Sequence, residues 1–188
     1  MNSKTAFLLL GILFVPVTLC SGDTDPKIGI GLEVGNSGIS DVVNNYENAT
    51  VYGATFFWIY GLNDPSQNIL LRPSITIDYY RQNYIFPYSY TSPSILESSH
   101  ISPTRVFVTL DFRISPKWLI NPYWEPNIGV LINNNLSVSF LLTLLGFGLS
   151  VPLFDNKVLL DGGLNFSFSV SEPTSLLGKI TGRISYVF

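Results

Sequence analysis

From Val158 to Ser171 the sequence alternates almost without fault. Val158, Leu160, Gly162, Leu164, Phe166, Phe168 and Val170 make one set; Leu159, Asp161, Gly163, Asn165, Ser167, Ser169 and Ser171 make the other. Six of the first set are large and apolar, against one of the second. Successive side chains of a strand point to opposite sides of a sheet, whereas a helix would mix the two sets on every face. This segment therefore predicts a strand with one oily face and one polar face. Arg105 to Ser115, Leu71 to Tyr80 and Ile28 to Gly35 repeat the pattern.

Eight segments of this kind are predicted, at 27–36, 50–61, 68–80, 103–115, 118–133, 135–151, 157–171 and 178–188. Most reach the ~9–11 residues that a tilted strand needs to cross a bilayer. The odd-numbered connections are 37–49, 81–102, 134 and 172–177, and the even ones are 62–67, 116–117 and 152–156. The two longest are both odd, and the even ones carry the Pro, Asp, Asn and Ser of tight turns. Three features fit less simply. Pro122 and Pro126 fall within the fifth segment and Pro73 within the third, where each removes a ladder donor. A bulge, or a later start, is expected in the fifth. In the sixth, "FLLTLLGFGL", alternation nearly disappears, and its Gly and Ser content favours a strand over a buried helix.

Met1 to Lys4 carries one positive charge, Ala6 to Leu19 is almost wholly apolar, and Ser21, Gly22 and the charged run from Asp23 follow. That order predicts a secretory signal peptide over 1–22, cleaved near Cys20 to Gly22, and a single exported domain over 23–188. Cys20 is the one cysteine. It is either discarded with the signal or acylated as a lipoprotein residue, and the exported part has no internal disulfide. The chain is 46% hydrophobic and 14% aromatic but 12% charged, with a mean hydropathy of +0.32. A net charge of −3 and the absence of clustered Lys and Arg argue against nucleic acid. No later apolar run is long enough to span a membrane as a helix. For an exported, oily chain the remaining membrane solution is a closed β-barrel.

With apolar faces outward, the enclosed faces carry Glu33, Asp78, Asp111, Glu125 and Asp161 against Arg72, Arg105, Arg113, Lys179 and Arg183. An eight-stranded barrel is just wide enough to be filled by side chains, so these ten are expected to pair as a lumen ion-pair network rather than line an open pore. A polar solute path is one alternative. A soluble barrel with the faces reversed is another. Aromatics at segment ends suggest two interfacial girdles. Trp58, Tyr60, Trp118, Tyr123, Trp124, Tyr186 and Phe188 would form one, and Tyr79, Tyr80, Tyr84, Phe86, Tyr88 and Tyr90 the other.

The final strand, Lys179 to Phe188, ends on Tyr186 and Phe188 and resembles the C-terminal signal that the barrel assembly machinery reads in bacterial outer-membrane barrels. With the leader and the eight segments, the chain resembles the small eight-stranded outer-membrane barrels: OmpA-type transmembrane domains, outer membrane protein X and W types, and opacity-type adhesins. The resemblance implies an all-β, antiparallel, up-and-down transmembrane barrel with a polar lumen, embedded in outer-membrane lipid. The expected role is structural or surface display, with external loops, chiefly the Tyr-, Ser- and Pro-rich 81–102, for adhesion or binding of an external ligand or host partner, and with envelope integrity equally compatible. A narrow conduit for small or hydrophobic solutes is the alternative. Some barrels of this shape are lipid A deacylases with a Ser, a His and an acidic partner. "SSHIS" offers His100 and Ser102, with Glu97 nearby, but in a predicted loop. No metal or other cofactor is expected: "IGIGLEVG" is followed by no helix, and no Cys or His cluster exists.

Overall fold

The computed structural model describes residues 26–41, 45–62, 68–87, 104–132, 138–169 and 175–188. Nine antiparallel strand segments run through them. They are β1 (Lys27–Asp41), β2 (Asn45–Ile59), β3 (Ile69–Pro87), β4 (Thr104–Pro116), β5 (Asn121–Trp124), β6 (Asn127–Ile132), β7 (Val138–Leu153), β8 (Val158–Ser169) and β9 (Ser175–Val187). β5 and β6 both lie between β4 and β7, as two halves of one stave, so the nine segments build eight staves. Each stave pairs with its sequence neighbours. β9 returns to pair with β1 from Gly29↔Val187 to Asp41↔Ser175 and closes the sheet into a barrel. One residue later the Phe188 amide donates to the Ile28 carbonyl at 2.8 Å. Closure removes the free edges that an open sheet would leave.

The faces divide as the alternation predicts. Ile28, Ile30, Leu32 and Val34 of β1 are exposed while Glu33 is buried; Leu160, Leu164, Phe166 and Phe168 of β8 are exposed while Asp161, Asn165, Ser167 and Ser169 are buried. Leu32 is 67% exposed and Asp78 fully buried, which excludes the reversed, soluble barrel. The end holding Lys27, Leu62, Val187 and the turns at 117–120 and 154–157 is the near end, and the opposite end the far end.

Two of the expected loops are shorter than predicted. β1 and β2 pair out to Ser40↔Tyr46, so most of 37–49 is hairpin and 42–44 is what separates the strands. β3 runs to Pro87 and pairs with β2 out to Asn45↔Pro87, so the first seven residues of 81–102 are strand. Alternation marks a strand only where one face is apolar. Past that belt both sides of a ribbon can be polar, and the sequence then reads as loop.

The sixth segment is strand β7, and a β-bulge explains its lost pattern. Pairing with β8 shifts between Thr143 and Leu145. Leu144 and Leu145 consequently both point outward, and inward positions switch from Leu141 and Thr143 to Gly146 and Ser150. Read with one phase slip, the alternation is intact. The facing stave is interrupted at Glu125–Pro126, between β5 and β6, where the expected irregularity of the fifth segment falls. There the Glu125 amide donates to the Gly146 carbonyl at 2.7 Å, and the freed Leu144 carbonyl accepts from the Trp124 indole N–H at 2.8 Å. Pro73 lies in the gap between Phe57↔Ser74, where the continuous β2–β3 ladder stops, and the isolated bridge Tyr60↔Leu71.

Candidate functional site

Alternation sends every second side chain of eight staves into one narrow lumen, and their chemistry is layered. At the near end Phe57, Ile59, Leu62, Leu70, Leu159 and Val187 pack together. At the far end Ala49, Val51, Tyr80, Phe107, Leu131, Leu141 and Leu177 do the same. Between these apolar layers lie the charges.

Eight of them form one chain of alternating sign. Arg72 Nη2 lies 2.8 Å from Asp161 Oδ2, and the same oxygen lies 2.8 Å from Arg113 Nη1. Arg113 Nε and Nη2 both donate to Glu125, at 3.2 and 3.0 Å. Glu125 Oε1 stands 3.6 Å from Arg183 Nη1. Arg183 donates through Nε and Nη2 to Glu33 Oε2, at 2.8 and 2.6 Å. Lys179 Nζ then bridges Glu33 Oε1 at 2.9 Å and Asp78 Oδ2 at 2.6 Å. Four cations meet four anions, all buried. Such burial is tolerable because each ion has a neighbour of opposite sign; an isolated one would be strongly unfavourable.

The remaining two predicted members stand apart from this chain. Asp111 is buried among hydroxyls: Thr76 donates to its Oδ2 at 2.6 Å, Thr109 at 3.2 Å and Ser74 at 3.4 Å. Thr76 is in turn 3.0 Å from the hydroxyl of Thr55. Arg105 is half-buried towards the far end, opposite Tyr80 in the β3–β4 register. His100 and Ser102, with Glu97, lie outside the described residues.

Glycines on the inward faces make room for the network. Gly53 sits between Glu33 and Asp78 in one cross-strand row, and a Cβ on it would collide with both side chains. Gly31 likewise faces the side chains of Ser185 and Arg183, and Gly29 faces the Phe57 ring. The glycines of "IGIGLEVG" are thus lumen space, a signal readable from their parity with Glu33. Tyr123, expected in an interfacial girdle, faces the lumen instead. It is buried beneath Arg113, whose guanidinium lies 3.6 Å from the ring centroid, and its hydroxyl donates to the Gly162 carbonyl at 3.3 Å. Tyr80 too faces the lumen rather than a girdle. Trp118, Trp124, Tyr186 and Phe188 are exposed towards the near end, with the Tyr186 and Phe188 rings edge to face at 5.2 Å. Trp58 and Tyr60 are half-buried there, and Tyr79 is exposed on the outer face of β3. The side chains of Tyr84 and Phe86, and Tyr88 and Tyr90 altogether, fall outside the described residues.

No protein-family model and no curated protein matches the chain. Among solved structures it is similar to Ail, the attachment invasion locus protein of Yersinia pestis, at 11% identity, covering 88% of this chain and 100% of Ail with a TM-score of 0.51. Ail in complex with the heparin analogue sucrose octasulfate matches at 10% identity, the same coverages and a TM-score of 0.44. Ail in a phospholipid bilayer nanodisc matches at 11% identity, 87% and 100% coverage and a TM-score of 0.39. The chain has the fold of the small eight-stranded outer-membrane barrels, as its alternation and final strand imply.

Proposed function

We propose that this protein is a closed barrel of the bacterial outer membrane whose work is done by what it holds outside, chiefly the connection between β3 and β4, and that it binds a surface ligand or host partner there. One observation carries the reading. Among the described residues the lumen holds two apolar layers with a charge-neutral ionic chain between them, which favours a closed interior over a solute path. A barrel that passes nothing is a scaffold, and function moves to its ends. The oily exterior supports membrane residence, since an apolar surface of this extent is stable against hydrocarbon and not against water. The attachment protein Ail, which has the same fold, is consistent with adhesion as the role of such loops.

In this reading residues 1–22 are a cleaved export signal. Tyr186 and Phe188 present the final strand to the assembly machinery, and the near end faces the periplasm. The test replaces residues 88–102 with a short turn, leaving β3 and β4 whole. Expected is a barrel that still inserts, migrates heat-modifiably on a detergent gel and loses surface binding. Retention of every binding phenotype overturns display. Planar-bilayer recording is expected to show a silent barrel, and steady unitary conductance would restore the conduit.

A further inference from the structure

The outer wall is not evenly convex. Across β8, β9, β1, β2 and β3 it carries an apolar groove of about 710 Å³. Its cause is local. Tyr186 and Phe56 stand in one row of outward side chains; Ile184, Leu32 and Ile77 stand in the next, with Ala54 between the last two. The methyl group of Ala54 leaves a gap among large neighbours, and the groove reaches down to Gly31, Thr55 and Ser185 of the wall itself.

We propose that this groove is a lipid site that holds one acyl chain of a phospholipid of the inner leaflet. The inference rests on the membrane reading above. The groove is continuous with the oily belt that meets hydrocarbon, and its lining is almost wholly apolar, which suits a methylene chain rather than a polar ligand. It lies in the near-end half of the wall, which faces the periplasmic leaflet, where the lipid is phospholipid. A second copy of this chain is the poorer occupant. A two-fold contact centred on the groove sets the two hollows against each other and fills neither.

The test reconstitutes the full barrel into vesicles of phosphatidylethanolamine and phosphatidylglycerol, extracts it in mild detergent and weighs it by native mass spectrometry. Expected is wild type carrying one phospholipid, a several-fold lower bound fraction in Ala54→Phe, which fills the groove, and no change in Leu164→Phe, elsewhere on the belt. Equal retention by Ala54→Phe and wild type overturns the site, as does a dimer mass lost in Ala54→Phe or preferential capture of added lipopolysaccharide. Heat-modifiable migration checks that each variant folds, and Ala54→Leu, a smaller filling, carries the comparison if the Phe variant does not. Failure of wild type itself to insert into the vesicles strikes the membrane reading, separately from the groove.

Discussion

Glu125 faces Arg113 directly across the seam between β4 and the broken stave β5–β6, and two nitrogens of the guanidinium reach its carboxylate. Among the described residues this is where the wall is least hydrogen-bonded: β4 and β5 pair at Ile114↔Trp124, and the same register places Pro122 opposite Pro116. Prolines supply no N–H, so the ladder fails there and the ion pair ties the seam from inside. Arg113→Met should lower stability by about 3–5 kcal/mol, because it strands a buried carboxylate and also removes the cation over Tyr123. Urea unfolding from lipid vesicles, followed by Trp fluorescence, measures it. Arg113→Met/Glu125→Leu should recover part of the loss, and an unchanged midpoint in the single variant refutes the role.

Gly53 tests whether space, rather than charge, limits the network. Its missing side chain lets Glu33, Asp78 and Lys179 converge. Gly53→Val should cost about 1–3 kcal/mol as overpacking, or more if an ion pair is displaced. Gly162→Val is the control, because a Cβ at Gly162 meets no atom within 4 Å. Equal losses in the two variants would show that strand glycines matter here for some reason other than lumen room.

How far the sequence revealed this arrangement depends on the signal. Glu33 announced the polar interior because it sits between outward Leu32 and Val34, and Asp161 and Arg183 because each adjoins one outward apolar residue, Leu160 and Ile184; Arg183, moreover, lies opposite both Asp161 and Glu33 in the ladders. Which acid meets which base was not readable, since partners such as Arg72 and Asp161 are 89 residues apart and meet through barrel closure. Tyr123 and Tyr80 were misplaced because an aromatic near a strand end satisfies a girdle and a lumen layer equally well, and parity alone decides between them. β7 hid its pattern behind one extra residue, Leu144, whose bulge no local propensity marks.

The bulge has a dedicated partner. Trp124 spends its indole N–H on the Leu144 carbonyl, which the register shift leaves outside the ladder. If the outer wall lies in hydrocarbon, as proposed, no water can take its place. Trp124→Phe should therefore destabilise the barrel by about 1 kcal/mol in the vesicle unfolding assay. Pro126→Ala should be nearly silent, because Pro126 lies at the break in the stave and its carbonyl, not its nitrogen, makes the cross-strand bond to Phe112. A silent Trp124→Phe would mean that the bulge needs no indole.

The depth of the belt can be mapped with one cation. Leu164 lies midway along β8 on the outer face, whereas Phe154, 75% exposed, lies in the near-end turn. If the wall is in hydrocarbon, Leu164→Arg moves a guanidinium close to the bilayer midplane and should cost about 2–4 kcal/mol. Phe154→Arg sits near the interface and should cost about 0–1 kcal/mol. In water the order would differ: an exposed Leu→Arg exchange on a strand is close to neutral and improves solubility. Unfolding free energies in vesicles of both variants decide it. Equal, small effects at Leu164 and Phe154 would mean that the oily face meets something other than lipid.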